Sequence, residues 1–300
     1  MDALSVERAE TSTAGAIVEL LLFPVGLGAS YFACADIVSR MPQEQAAGGA
    51  LVVVLLALAA AAALEKIMPW RKEWSKSRGD FGQDLLETNV GLPTFTKLTE
   101  LAVAFGAVAI TARVPALKFV REIWPNSWSL GAQTCLAIAV TDFGFYVAHR
   151  IVHTVPWLWQ FHAHHHSVKR MYVFNSGKFH PVDVAFQTLL YSAPLIVVGA
   201  TPRLLALFVA FSAVHGMYEH GNFRYRIGAL DHLFNTNGLH QWHHSLVREE
   251  ANSNFGKVLS IYDWIFGTRV APRGASVGEL GHSEPVADGY VNQVLLRNRH

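Results

Sequence analysis

Residues 51–64 read LVVVLLALAAAAAL and form the centre of the apolar run 48–67. A run of about 20 mainly apolar residues is long enough to cross a bilayer as a helix. Three further runs of this kind lie at residues 14–38, about 98–114 and about 130–148. The sequence therefore predicts an all-α integral membrane bundle with about four transmembrane helices.

A fifth apolar region, residues 184–214, is interrupted by Pro194, Gly199 and Pro202. It is too short for two full spans with a loop between them. We expect a short membrane hairpin or two short tilted helices in this region.

The composition agrees with a chain that contacts lipid. Of the 300 residues, 51% are hydrophobic and 16% are charged, and the mean hydropathy is +0.25. Soluble domains carry about a quarter charged residues. The net charge of +1 gives no basic field for a nucleic-acid partner. Residues 1–15 are polar and acidic, so we expect no cleaved signal peptide.

Basic residues in the short loops predict the orientation in the membrane. Segment 66–78 carries five Lys and Arg residues, whereas loop 39–47 carries only Arg40. We expect segment 66–78 to face the cytoplasm, and four crossings then place the histidine-rich part on the same side as a helical cap. The predicted organisation is an N-terminal transmembrane region (1–129), a catalytic domain (130–270) and a peripheral tail (271–300).

Three histidine boxes follow the fourth apolar run. In order along the chain, they contain His149 and His153; His162, His165 and His166; and His240, His243 and His244. Spacings of three and four residues place imidazoles on one helical face. Clustered neutral imidazoles are poor core material, but they are favoured ligands for iron and zinc.

One metal ion accepts about four to six ligands, and the boxes supply eight imidazoles. The boxes therefore predict two metal ions. Three other kinds of protein stay open at this point: a zinc-dependent membrane hydrolase, a histidine-rich metal transporter and a bis-histidine haem protein. A transporter would carry histidines within its spans, and here the boxes lie at or beyond the span ends. A hydrolase would need an open metal position and a general base.

HRIVH (149–153), FHAHHH (161–166) and LHQWHH (239–244), in this order, resemble the boxes of the fatty acid hydroxylase / sterol desaturase superfamily. The chain continues with NSNFG (252–256) and DWIFGT (263–268), which are similar to that superfamily's downstream signatures. The resemblance covers about residues 142–268. It also implies three more metal ligands: His180 (before a Pro-x-acid element), His215 and His220.

The resemblance implies a membrane-bound di-iron oxygenase that hydroxylates or desaturates an unactivated C–H position of a sterol or fatty acyl lipid. The implied cofactors are two Fe ions, with Zn as a possible replacement in purified protein, and O₂ is the co-substrate. Since the chain has no nucleotide-binding GxGxxG after a strand, electrons should come from an external ferredoxin or small cytochrome with its reductase. We assign no catalytic residue beyond the metal ligands.

Polar residues near the boxes are candidates for orienting the ligating imidazoles through their second ring nitrogen. They are Asp142, Asp183, Glu219, Asp231 and Asn222. Four histidines are expected to bind no metal: His164, His232, His282 and His300.

Overall fold

The computed structural model describes residues 12–272, 275–284 and 289–296. Within these ranges the regular elements are helices, and β-pairing is limited to three isolated bridges. The all-α prediction is confirmed. The predictions for residues 1–11 and for His300 lie outside the described residues.

Four stretches of helix are long and apolar enough to cross a membrane, at Thr13–Arg40, Gln43–Ile67, Phe81–Arg113 and Leu130–Thr154. They contain α1 (Thr13–Arg40), α2 (Ala46–Ile67), α3 (Phe81–Leu86), α4 (Leu92–Arg113) and α5 (Leu130–Thr154). A π-helical turn, Glu87–Gly91, joins α3 to α4, so the third stretch begins well before the expected residue 98.

Local side-chain capping marks the starts of two of these helices, α1 and α5. Ser12 and Ser129 precede α1 and α5, and their hydroxyl oxygens accept backbone N–H groups of the first turn. Large apolar side chains on the spans point outward, for example Leu56 and Phe105, which are 67% and 73% exposed. Apolar surface of this kind suits a lipid environment.

The fifth apolar region folds into three helices and not into two full spans. These are α7 (Pro181–Leu190), α8 (Ala193–Val197) and α9 (Pro202–His220). Pro181, Pro194 and Pro202 each stand in the first turn of their helix, where the missing N–H costs nothing. Helix α9 packs against α1 and α2, and its buried side chains Val214, Met217 and Tyr218 lie in one cluster with Phe23.

The remaining helices are short and gather at one end of the bundle. They are α6 (Pro156–His162), α10 (Asn237–His243), α11 (Arg248–Ala251), α12 (Ile261–Ile265) and α13 (Tyr290–Val294). Two ion pairs join this end to the start of the third span: the buried pair Lys178–Asp84 (2.8 Å) and the partly exposed pair Arg170–Asp80 (2.7 Å).

Part of the C-terminal segment, expected to be a peripheral tail, packs against the histidine-bearing region. Val277 and Leu280 are buried beside Trp242, and the Gly281 N–H donates to the His244 carbonyl oxygen (3.0 Å). The domain boundaries at residues 129 and 270 stay predictions. Residues 277–281 nevertheless pack directly against the segment that carries the third histidine box.

Candidate metal centre

Nine buried histidines of the described residues lie in two groups at the end of the bundle where the short helices gather. Within each group, one ring nitrogen per residue lies within 4.8 Å of all the others. The first group consists of His149, His153, His162, His166 and His243. The second group consists of His165, His220, His240 and His244.

The second and third boxes each divide their histidines between the two groups. In the second box, His162 and His166 belong to the first group and His165 to the second. In the third box, His240 and His244 belong to the second group and His243 to the first. His149 and His153 stay together because they lie one turn apart on α5, and His240 and His244 because they lie one turn apart at the end of α10. His162 and His166 share a group although α6 ends at His162. The histidines of each box were expected to share one face; this holds for the first box, whereas the second and third boxes each contribute to both groups.

Three rings of the first group direct Nδ1 to a single turn of chain, residues 252–255. The contacts run from His149 Nδ1 to the Phe255 carbonyl oxygen (2.9 Å), from His153 Nδ1 to Asn252 Oδ1 (3.1 Å) and from His243 Nδ1 to the Ser253 carbonyl oxygen (2.7 Å). A carbonyl oxygen only accepts hydrogen bonds, so Nδ1 of His149 and of His243 carries the proton. The lone pair of each of these neutral rings is therefore on Nε2.

His162 is held by Asp183 in helix α7. Its Nδ1 lies 2.8 Å from Asp183 Oδ2, and both side chains are fully buried. Gln187 Nε2 donates to the other carboxylate oxygen at 2.7 Å. Burial raises the pKa of Asp183 to about 7, while the Gln187 hydrogen bond opposes the shift. A cation bound by His162 would favour the ionised carboxylate, which accepts the Nδ1 proton.

Two rings of the second group are fixed in the same way. His165 Nδ1 faces the Lys178 carbonyl oxygen (3.1 Å), and His220 Nδ1 faces Asn175 Oδ1 (3.0 Å). The orientation of the Asn175 amide follows from its Nδ2, which donates to a main-chain carbonyl. Both imidazoles therefore present an unprotonated Nε2 to the group.

The inward-facing nitrogens approach each other closely. The Nε2 atoms of His149 and His162 are 3.0 Å apart, and those of His220 and His240 are also 3.0 Å apart. With both Nδ1 atoms protonated, neither Nε2 of the His149–His162 pair can donate to the other, and their lone pairs repel. Two neighbouring ligands at about 2.1 Å from an octahedral metal would lie about 3 Å apart. The residues therefore fit a bound cation.

Burial keeps the imidazoles neutral. It lowers the pKa of His220 to about 3 and that of His243 to about 4. Burial, with the charges of neighbouring imidazoles, also lowers the pKa well below the usual range for the other rings outside the spans: His162, His165, His166, His240 and His244. Neutral imidazole is the form that binds a metal.

Two predicted ligands lie outside both groups. His180 caps helix α7, where Nδ1 accepts the Val182 N–H (3.1 Å) and Nε2 lies 3.0 Å from the Val294 carbonyl oxygen. His215 is buried one turn before Glu219, and Phe23 packs edge-on against its ring. The structure thus gives His180 a capping role and places His215 between the Phe23 ring and the Glu219 carboxylate, whose Oε2 lies 3.7 Å from His215 Nδ1.

Three of the four histidines expected to bind no metal lie within the described residues and have other contacts. His164 Nε2 lies 2.6 Å from Glu87 Oε2, and both groups are buried. His232 packs on Trp264, and His282 packs on Trp159. Among the polar residues predicted to orient imidazoles, only Asp183 contacts a histidine of either group.

The other candidates hold the backbone around the site. Asp142 accepts the backbone N–H groups of Val258 and Leu259 (2.9 and 2.8 Å). Asn222 forms paired hydrogen bonds with the backbone of Arg71. The Glu219 carboxylate accepts a hydrogen bond from the Asn235 side chain, and Asp231 forms an ion pair with Arg269. These contacts fix main-chain segments, so these residues do not orient the imidazoles directly.

Sequence reasoning missed the groups that hold most of the rings. Asn175 and the main-chain carbonyls of Lys178, Ser253 and Phe255 carry no motif of their own. The NSNFG stretch at 252–256, which belongs to the family resemblance, is the one sequence signal for the turn that holds these rings.

Comparison with known proteins gives a consistent family match. The model of the family described as Fatty acid hydroxylase matches residues 134–268. A Rhizobium tropici protein named ornithine lipid hydroxylase is 36% identical over 231 residues, which cover 77% of this chain and 70% of the relative.

More distant relatives carry related names. An alkylglycerol monooxygenase of Xenopus tropicalis is 25% identical over 73% of this chain, and the match spans 47% of that protein. A methylsterol monooxygenase of Arabidopsis thaliana is 26% identical over 47% of this chain and 54% of its own length. The chain thus spans about half the length of these two relatives. No solved structure matches the chain significantly.

Proposed function

This chain belongs to the fatty acid hydroxylase family, and we propose that it is a membrane-bound oxygenase that hydroxylates a C–H bond of a lipid at two metal sites. The observation that carries the proposal is the pair of adjacent groups of buried histidines, nine in total, at the end of four candidate membrane spans. The names of the relatives favour hydroxylation over desaturation, since they are hydroxylases and monooxygenases.

We propose iron as the metal in both groups, with zinc able to replace it in purified protein. Imidazole nitrogens suit both ions. When bound, two irons supply the redox chemistry that activates O₂. In the overall reaction one oxygen atom enters the C–H bond, and the other becomes water with two protons and two electrons from an external donor.

The protein's own residues provide the geometry. The Asn252–Phe255 turn, Asp183, Asn175 and the Lys178 carbonyl oxygen hold Nδ1 atoms, so the Nε2 lone pairs converge on two points. Hydrogen-bonding partners of this kind fix the ring orientation and raise ligand basicity. Both groups are buried, which excludes bulk water from the reacting region.

We propose a polar lipid as the substrate. The outward-facing apolar side chains of the spans support a site that lipids reach from the bilayer. The 36% identical relative is named for an ornithine lipid, so lipids with an amino-acid head are the first to test. Alkylglycerol and sterol lipids, named in the more distant relatives, come next.

We propose that the histidine site faces the cytoplasm. The basic segment 66–78 lies at the same end of the bundle as the site, since Arg71 contacts Gln241 and Asn222. Basic loops favour the cytoplasmic side. A ferredoxin or small cytochrome with its reductase would then supply electrons there.

The proposal is tested by metal content and turnover of the full chain in detergent. We expect about two irons per chain after growth in iron, and O₂-dependent hydroxylation of a supplied lipid when ferredoxin, its reductase and NADPH are present. The variants His165→Ala and His243→Ala remove one ring from each group and should lose iron and activity while still inserting in the membrane. Exposed His232→Ala is the matched control.

Two results would contradict the proposal. Full activity of His165→Ala or His243→Ala would show that the groups are not the reactive centre. Zinc that persists while iron cannot be reconstituted would favour a zinc-dependent membrane hydrolase.

A further inference from the structure

Lys257 directly follows the stretch that holds the first group of histidines, and its backbone is tied on both sides. Before it, the N–H groups of Phe255 and Gly256 donate to Asp263 (2.8 and 2.9 Å). After it, the N–H groups of residues 258 and 259 donate to Asp142. These bonds fix the direction in which the side chain leaves the backbone.

The ammonium of Lys257 lies near the first group of histidines. Its Nζ is 5.2 Å from the ring centre of Phe145 and 5.7 Å from that of Tyr191. Phe145 stands one turn before His149 on helix α5, and the two rings are 5.2 Å apart. The cation therefore lies near the first group, on the side of His149 that Phe145 occupies.

In the parts of the chain that the structure describes, no carboxylate lies within ion-pairing distance of Lys257 Nζ. The nearby Asp142 uses both oxygens on backbone N–H groups. Lys257 is partly buried, and the aromatic faces compensate only part of the lost hydration. A partly buried charge is costly unless an anion pairs with it.

We propose that Lys257 determines substrate specificity by binding an anionic oxygen, of a carboxylate or a phosphate, in the polar head of the lipid. This inference rests on the proposed function in that the ligand is the lipid substrate. An anion held here places the first carbons of the head, and not the end of the acyl chain, beside the metals. The enzyme would then hydroxylate close to the polar head.

Binding of short soluble lipids to the iron-loaded full chain in detergent, measured by calorimetry, tests this inference without turnover. The probes are N-octanoylglycine and its methyl ester for the carboxylate, and octyl phosphate and 1-octanol for the phosphate. We expect one anionic probe to bind about tenfold or more tightly than its neutral partner, as for a charge-assisted hydrogen bond. The pair that shows the difference identifies the anion.

Variants connect the preference to the residue. Lys257→Met should abolish the preference for the anionic probe. The variant should remain folded, because a thioether packs well on aromatic rings. Lys257→Arg should keep the preference, and so should the control Lys118→Met at an exposed position.

Equal binding of each anionic and neutral pair to the wild type would overturn the inference, as would a preference that persists in Lys257→Met. A Lys257-dependent preference without hydroxylated product would support the anion site and contradict the oxygenase activity. The two proposals can therefore fail separately.

Discussion

Asp183→Asn should lower the metal affinity of the first group of histidines and leave that of the second group unchanged. In the wild type, Asp183 accepts the His162 Nδ1 proton at 2.8 Å and the Gln187 Nε2–H at 2.7 Å. The new amide satisfies Gln187 with its oxygen and turns its NH₂ toward His162 Nδ1. His162 Nδ1 must then accept a hydrogen bond, so the ring proton moves to Nε2. His162 thereby loses the Nε2 lone pair that it directs into the first group.

Loss of such an orienting partner typically costs 10- to 100-fold in metal affinity, or about 1.4 to 2.8 kcal/mol. Only the first group contains His162, so the second group should keep its affinity. Competition with a graded series of chelators, read by elemental analysis of iron, should show one weakened and one unchanged metal per chain.

Asp142→Asn is the matched control. Asp142 is as deeply buried as Asp183, but its oxygens accept backbone N–H groups and contact no imidazole. Its folded fraction should bind iron as the wild type does. An Asp183→Asn protein with two irons at wild-type affinity would refute the assignment of Asp183 as the residue that orients His162.

Three further predictions concern the surroundings of the centre. His164→Ala removes one partner of the buried pair with Glu87 and should lower the free energy of unfolding by about 3 kcal/mol in denaturant titrations, with iron content unchanged; loss of iron would contradict the placement of His164 outside the groups. His215→Leu should keep both irons and at least the wild-type melting temperature, because in the described structure neither ring nitrogen of His215 has a hydrogen-bond partner; iron loss would identify it as a ligand. Chelation should lower the melting temperature, since metals at 1,000 times their dissociation constant stabilise a fold by about 4 kcal/mol, and an unchanged melting temperature would argue against metals in these groups.

The spans and the boxes could be predicted because their signals are local. A run such as 48–67 needs only its own composition to be recognised, and histidines four residues apart share a face on any helix. The interruption of the fifth region was predictable for the same reason, since proline limits the length of each helix. The expected hairpin or two short helices are instead three helices, and α9 has 19 residues.

The division of the boxes could not be predicted, because it depends on how segments far apart in the chain approach each other. Helix α6 ends at His162, and His165 and His166 continue in a tighter turn. The carbonyl of Phe255 reaches His149 across 106 positions of sequence. A main-chain carbonyl looks the same at every residue, so the sequence has no signal for which one will hold a ring.

The resemblance suggested His180 and His215 as ligands, and tertiary placement gave them other contacts. His180 precedes Pro181, and that local sequence is well suited to begin a helix. His215 lies five residues before His220, a spacing that turns the two rings to different sides of α9.

Each group takes histidines from segments that lie far apart in the chain, so neither group can form until late in synthesis. The first group needs His243 and the second needs His240 and His244, while the turn that holds three rings lies at 252–255. During translation, all four spans leave the ribosome before either group is complete. A growing chain stopped before residue 240 could therefore assemble neither proposed site, and metal delivery becomes one of the last events in making the protein.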